Sequence, residues 1–80
     1  MEFTDTQQTI LVNAWLLARK GKGQVLLEEW EPEAQQLADA GWLERQTVEA
    51  NGDSAWFWTP QAEGALDMNA LNQSVEGRQN

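Results

Sequence analysis

The pair Asn51-Gly52 lies between two segments that contain good β-forming residues, 43–50 and 54–59. Asn-Gly is a strong signal for a two-residue turn between antiparallel strands, because both residues tolerate positive φ angles. The pattern therefore predicts a β-hairpin. Asp53 beside the pair also permits a three-residue turn, so the sequence leaves the register of the two strands open.

Aromatic side chains alternate along the second predicted strand. Trp56 and Trp58 share one face and Phe57 lies on the other, because successive side chains of a strand point to opposite sides. Whichever face turns towards the core, the other keeps an aromatic side chain that a small domain leaves partly uncovered. Phe57 is therefore a candidate contact for a partner.

A capping box predicts the start of the first helix. Thr4 is the N-cap residue of this motif and Gln7 is its third helical residue. The helix is expected to span residues 5–20 and to end at Gly21, a residue type that suits the left-handed conformation after a helix. Its apolar residues occupy more than one face: Ile10, Leu11, Val12, Ala14, Trp15, Leu16 and Ala18. Either the domain covers this helix on several sides, or the surplus face contacts another protein or a second copy in a homodimer.

Two further short helices are expected before the hairpin. Residues 24–30 form the second, with Val25 or Leu26, Leu27 and Trp30 facing inward. Pro32 ends it because a residue that precedes proline disfavours the helical conformation. Residues 32–40 form the third, with Pro32 in its first position. Two short helices joined by a tight break are the pattern of a helix-turn-helix.

Gly41 predicts how the third helix ends. Glycine at the position after a helix permits a Schellman motif, in which the chain folds back on the last turn. Trp42 is then expected to contact Leu37.

Thr59-Pro60 predicts the start of a last helix, with Thr59 as N-cap and Pro60 in the first turn. This helix is expected to extend to about residue 72. Residues 73–80 are polar and are assigned to a flexible tail, so the domain is expected to span residues 1–72.

The composition limits the chemistry that this chain performs. Its 80 residues form one small domain without His, Cys or Tyr, so the commonest general bases and zinc ligands are missing. We expect neither an enzyme nor a cofactor or metal site. The first residues are polar and acidic and no apolar run approaches the length of a membrane span, so we expect a soluble, cytoplasmic protein that does not contact membranes.

Residues 37–45 resemble a passage in bacterial and phage winged helix-turn-helix regulators. That passage ends the recognition helix and has the form leucine, three residues, glycine, two leucines, one residue and arginine. Residues 58–60, Trp-Thr-Pro, resemble the leucine-threonine-proline that follows the wing. Here Gly64 comes four residues after Pro60, whereas the family places a glycine two residues after the proline. The resemblance covers residues 5–72 and implies a small α+β domain with three helices, a two-stranded wing and a C-terminal helix.

In such regulators the third helix enters the major groove of DNA. The solvent-facing positions that the resemblance assigns to this helix are Glu33, Gln35, Gln36 and Asp39, and none is Lys or Arg. The net charge of −8 opposes binding to a polyanion, because such binding depends on clustered cations. An ordinary DNA-binding role is therefore disfavoured.

The leading hypothesis is a regulatory interaction module that docks an acidic surface onto a basic protein, with a DNA-like charge pattern that inhibits or recruits a nucleic-acid-binding partner. Its candidate contacts are Glu28, Glu29, Trp30, Glu31, Glu33, Gln36, Asp39 and Phe57. The alternative is a homodimeric, sequence-specific DNA-binding regulator. Its candidate contacts are Arg19, Lys20, Lys22, Gln35, Gln36 and Arg45. A third hypothesis is a structural subunit of a larger assembly.

Overall fold

A computed structural model describes residues 3–47 and 52–79, with side chains up to residue 73, and shows a small α+β domain. The described part contains four α-helices, one 3₁₀ turn and a two-stranded antiparallel hairpin. In chain order these are α1 (Asp5–Ala18), the 3₁₀ turn (Glu28–Trp30), α2 (Glu31–Asp39), β1 (Leu43–Thr47), β2 (Ser54–Trp58), α3 (Pro60–Ala65) and α4 (Met68–Gln79). The expected α+β class is confirmed.

The predicted capping box at the start of α1 is confirmed. The hydroxyl of Thr4 accepts a hydrogen bond from the backbone N–H of Gln7 at 3.0 Å, and the Gln7 side chain accepts from the Thr4 N–H at 3.1 Å. α1 ends at Ala18, two residues earlier than expected, and a hydrogen-bonded turn follows it. Gly21 adopts the expected positive φ, +69°.

The predicted second helix over residues 24–30 is wrong. Gln24 lies in an extended segment, where its backbone N–H and C=O exchange two 2.8 Å hydrogen bonds with the backbone of Trp56. Only Glu28–Trp30 is helical, as a 3₁₀ turn. A helix of seven residues is weak by itself, because nucleation costs more than a few hydrogen bonds return. Pairing with β2 therefore prevails.

The expected break before Pro32 is also absent. Glu31 has helical angles, φ −59° and ψ −40°, so the 3₁₀ turn continues directly into α2. Pro32 is tolerated in the first turn because the N–H groups there have no acceptor within the helix, so α2 forms although Glu31 adopts a conformation that pre-proline residues disfavour. Two helices separated by a turn therefore do not form between α1 and the hairpin.

The predicted Schellman motif after α2 is confirmed. The backbone N–H of Trp42 donates to the carbonyl of Leu37 at 2.9 Å, and Gly41 has a φ of +92°. The hydroxyl of Thr59 donates to the carbonyl of Gly41 at 2.7 Å, so this turn is tied to the start of α3. Thr59 also accepts from the N–H of Ala62, as its predicted N-cap role requires.

The hairpin pairs Leu43 with Trp58 and Thr47 with Ser54. A two-residue turn at Asn51-Gly52 with unbroken pairing would put Trp56 opposite Thr47, so the observed register differs by two residues. This even shift keeps the faces, because side-chain direction repeats every two residues. Residues 48–51, including Asn51 of the predicted turn, lie outside the described residues.

The predicted last helix is divided in two. Leu66 is extended, with φ −104° and ψ 139°, and ends α3. The carboxylate of Asp67 then accepts from the N–H of Ala70 at 3.2 Å and starts α4. α4 continues to Gln79, so most of the segment 73–80, which we assigned to a flexible tail, is helical. The domain boundary at residue 72 stays a prediction.

The core lies between α1, α2 and the inner face of the hairpin, and Ala62 of α3 and Met68 of α4 complete it. Its largest fully buried side chains are Trp56, Ile10, Leu11 and Leu37. Val12 is also buried, whereas Leu16 is 42% exposed. The apolar surface of α1 is therefore covered mostly by its own chain.

Two Gly→Ala substitutions test this backbone assignment. Gly41→Ala should destabilise the domain by about 1 to 2 kcal/mol, because alanine disfavours a positive φ and its Cβ would meet the Gln61 side chain. Gly64→Ala should stabilise it by about 0.5 to 1 kcal/mol, because Gly64 lies inside α3 with open space around it. Urea unfolding measures both effects, and changes of equal sign would contradict the assignment.

Candidate interaction site

Two side chains of α2 that we predicted to face a partner are bound to α1. The amide oxygen of Gln36 accepts from the side-chain nitrogen of Gln7 at 2.9 Å, and Gln7 is only 7% exposed. The Glu33 carboxylate accepts from the hydroxyl of Thr4. These contacts fix α2 against the start of α1, so the two side chains are already used within the domain.

A second polar network joins α2 to the hairpin through Arg45. The guanidinium of Arg45 donates to Gln35 Oε1 at 3.1 Å and to Ser54 Oγ at 2.8 Å, and it lies 5.0 Å from the ring centre of Trp56. The other end of the Gln35 amide donates to Asp39 at 2.9 Å. These hydrogen bonds link Gln35 to both Asp39 and Arg45, so the three side chains are engaged within the domain.

The three other cations of the DNA-binding alternative lie away from this network. Arg19, Lys20 and Lys22 are exposed at the end of α1, and the Arg19 guanidinium lies 4.7 Å from the ring centre of Trp15. α2 packs near Gln7, and Arg19 follows Gln7 by twelve positions, which is about 18 Å along the helix axis at 1.5 Å per residue. The structure therefore does not join these cations and α2 into one basic surface.

The structure does bring together part of the predicted acidic set. Glu28 and Glu29 are exposed on the 3₁₀ turn, and Glu31 at the start of α2 is half-buried. Trp30 between them is half-buried and packs against the core. Leu27, Glu28 and Glu29 line a shallow depression. We call Glu28, Glu29, Trp30 and Glu31 the acidic surface.

An apolar patch lies beside the acidic surface. Val25 is 64% exposed and Leu27 is 61% exposed. Because Gln24 pairs with Trp56 on the inner face, the alternation of a strand places Gly23 and Val25 on the outer face with Phe57. The Phe57 ring lies over Gly23, where a Cβ atom would approach it to 2.7 Å. We call Val25, Leu27 and Phe57 the outer patch.

Sequence reasoning identified Phe57 but missed Val25 and Leu27. The helix assigned to residues 24–30 turned Val25 or Leu26, with Leu27, towards the core. An extended segment puts Gln24 and Leu26 inward and leaves Val25 and Leu27 outside. The alternation of inward and outward positions was present in the sequence, but it becomes readable only once the segment is assigned as a strand.

Comparisons of the chain with models of protein families, with curated proteins and with solved structures give no match. Among the residues that the structure describes, no three acidic, His or Cys side chains form a group that suits a metal ion. Within the same residues, no helix has the length and apolar character needed to cross a bilayer. We argue function from the acidic surface and the outer patch.

The network around Arg45 predicts a structural role for this cation. Arg45→Ala should lower the free energy of unfolding by about 1 to 2 kcal/mol, because it leaves Ser54, only 8% exposed, without its partner and uncovers the Trp56 ring. Lys20→Ala removes an exposed cation and should change stability by less than about 0.5 kcal/mol. Urea unfolding followed by Trp fluorescence compares the two variants. Equal changes in the free energy of unfolding would show that Arg45 makes no stabilising contact.

Proposed function

We propose that this protein is a non-enzymatic interaction module that docks its acidic surface onto a basic partner protein. The observation that carries the proposal is the placement of Glu28 and Glu29, two adjacent residues that are exposed on a short, structured turn. Like charges side by side repel each other, so they gain from a cation that a partner brings. Trp30 next to them supplies an aromatic contact of the kind that is enriched at binding hot spots.

The scaffold supports this proposal. The order of helix, bridging strand residue, helix and hairpin is compatible with a winged helix, in which β1 and β2 form the wing and α2 takes the place of the recognition helix. Helix α2 is not preceded here by a separate second helix. The acidic 3₁₀ turn occupies that place, so an acidic surface stands where a DNA-binding member of this class would approach phosphates.

The distribution of charged residues favours a basic protein over DNA as the partner. Duplex DNA binding draws most of its strength from Lys and Arg that displace counterions. α2 contains neither residue type, Arg45 is held by Gln35 and Ser54, and the chain carries a net charge of −8. The negative electrostatic field of this domain attracts a basic protein surface and steers it towards binding. The proposed partner is therefore a basic protein, including one whose basic surface binds nucleic acid.

A pair of charge reversals tests the location of the docking surface. Glu29→Lys should weaken binding of a fluorescently labelled oligo-lysine peptide by about tenfold, because it turns an attractive contact into a repulsive one. Glu44→Lys changes the net charge equally at an exposed position on β1, and it should weaken binding by no more than about threefold through the overall field alone. Fluorescence anisotropy measures both affinities.

Equal losses in the two variants would contradict a localised docking surface. Mixed-sequence duplex DNA serves as the second probe in the same assay. We expect no saturable binding of duplex at low salt. Saturable binding with a steep salt dependence would instead support the DNA-binding alternative.

A further inference from the structure

The extended segment around Gln24 has an open backbone edge. Gln24 directs its N–H and C=O towards Trp56, and adjacent residues of a strand direct theirs the opposite way. The backbone groups of Gly23 and Val25 therefore point away from β2. Within the described residues, no strand or bridge pairs with this side. Such an edge is a template for pairing with another chain.

We propose that two copies of this chain pair antiparallel through this edge, with Val25 at the two-fold axis. In this register the residue numbers of paired positions add up to 50. Val25 then faces Val25 of the second copy and exchanges two hydrogen bonds with it. Gly23 faces Leu27 of the second copy, and Lys22 faces its Glu28. The isologous contact needs only one surface, as two-fold symmetry requires.

The charges at the two ends of the segment favour this register and favour a second copy of the chain as the binding partner. Lys22 and Glu28 are both exposed and lie three residues on either side of Val25, so the axis places each cation opposite a carboxylate. Lys22 lies in the turn after α1 and Glu28 in the 3₁₀ turn, so the pair is not a cross-strand pair, and its attraction is that of two opposite charges brought close together. A basic strand from another protein would satisfy Glu28 but would meet Lys22 with a like charge. The segment is therefore complementary to itself.

The shape of the outer patch agrees with the same pairing. The Phe57 ring fills the space over Gly23, so Leu27 of the second copy would pack against the edge of that ring. The two copies of Val25 meet at the axis. Pairing thus shields one side of the two large apolar side chains that are most exposed in the described residues, Val25 at 64% and Leu27 at 61%. Together the two copies would form one continuous sheet across the axis.

This dimer goes beyond the proposed docking function, and Glu28 takes part in both, as a member of the acidic surface and as the partner of Lys22. Glu29 and Glu31 lie outside the paired segment, so each copy keeps carboxylates for a basic partner. The axis would display two acidic surfaces at fixed separation. A partner with two basic sites at a matching distance would gain from simultaneous binding.

A charge swap tests the dimer with the full chain at near-physiological ionic strength. Sedimentation velocity over a wide concentration range should show a monomer–dimer equilibrium for the wild type. Lys22→Glu and Glu28→Lys should each weaken association by about tenfold, because two pairs per dimer change from opposite to like charge. The double variant should restore wild-type association, because both pairs are again opposite in sign.

The matched control is Leu16→Glu, which alters the exposed apolar residue of α1 and should leave association unchanged. A wild type that stays monomeric throughout, a double variant that fails to regain association, or dissociation by Leu16→Glu would each overturn the proposal. Circular dichroism confirms that every variant is folded. Glu29→Lys separates the two proposals, because it should weaken oligo-lysine binding and leave the dimer intact.

Discussion

The pairing of Gln24 with Trp56 is the contact on which the rest of this structure depends. The Trp56 side chain is fully buried at the centre of the core, and its backbone fixes Gln24 through two hydrogen bonds. The side-chain amide of Gln24, itself 7% exposed, donates to the carbonyl of Ile10 at 3.1 Å. One residue pair therefore joins α1 to the hairpin. A buried amide left without these partners would be strongly unfavourable. The pairing therefore specifies one arrangement of α1, the segment around Gln24 and the hairpin.

The local features of the fold could be predicted because their signals lie within a few residues of each other. The cap at Thr4, the turn at Gly41 and the start of α3 at Thr59 were all read correctly from such patterns. The helix assigned to residues 24–30 failed because its competitor, Trp56, lies 32 residues further along the chain. Periodicity does not register a partner at that distance, and tertiary pairing overrides a weak local preference.

The candidate site could be predicted in composition but not in arrangement. The sequence was enough to place Glu28 and Glu29 in a candidate set, and both are exposed and adjacent to each other in the structure. Gln36 and Arg45 were assigned to binding surfaces as well, yet each is held by a side chain from another element. A polar residue on a helix surface looks the same in the sequence whether it meets solvent, a ligand or its own domain. Only the three-dimensional contacts separate these cases.

The long sequence separation between Gln24 and Trp56 also has a consequence for the order of folding. Closing a connection of this length costs more chain entropy than forming a local turn, so helix caps and hairpin contacts are expected to form before the bridge. Until the bridge closes, the edge of β2 that receives Gln24 stays uncovered. The chain is then most vulnerable to aggregation through a strand that the finished domain protects. Segment 23–27 is therefore expected to pair with β2 late in folding and to protect the edge of that strand from other chains.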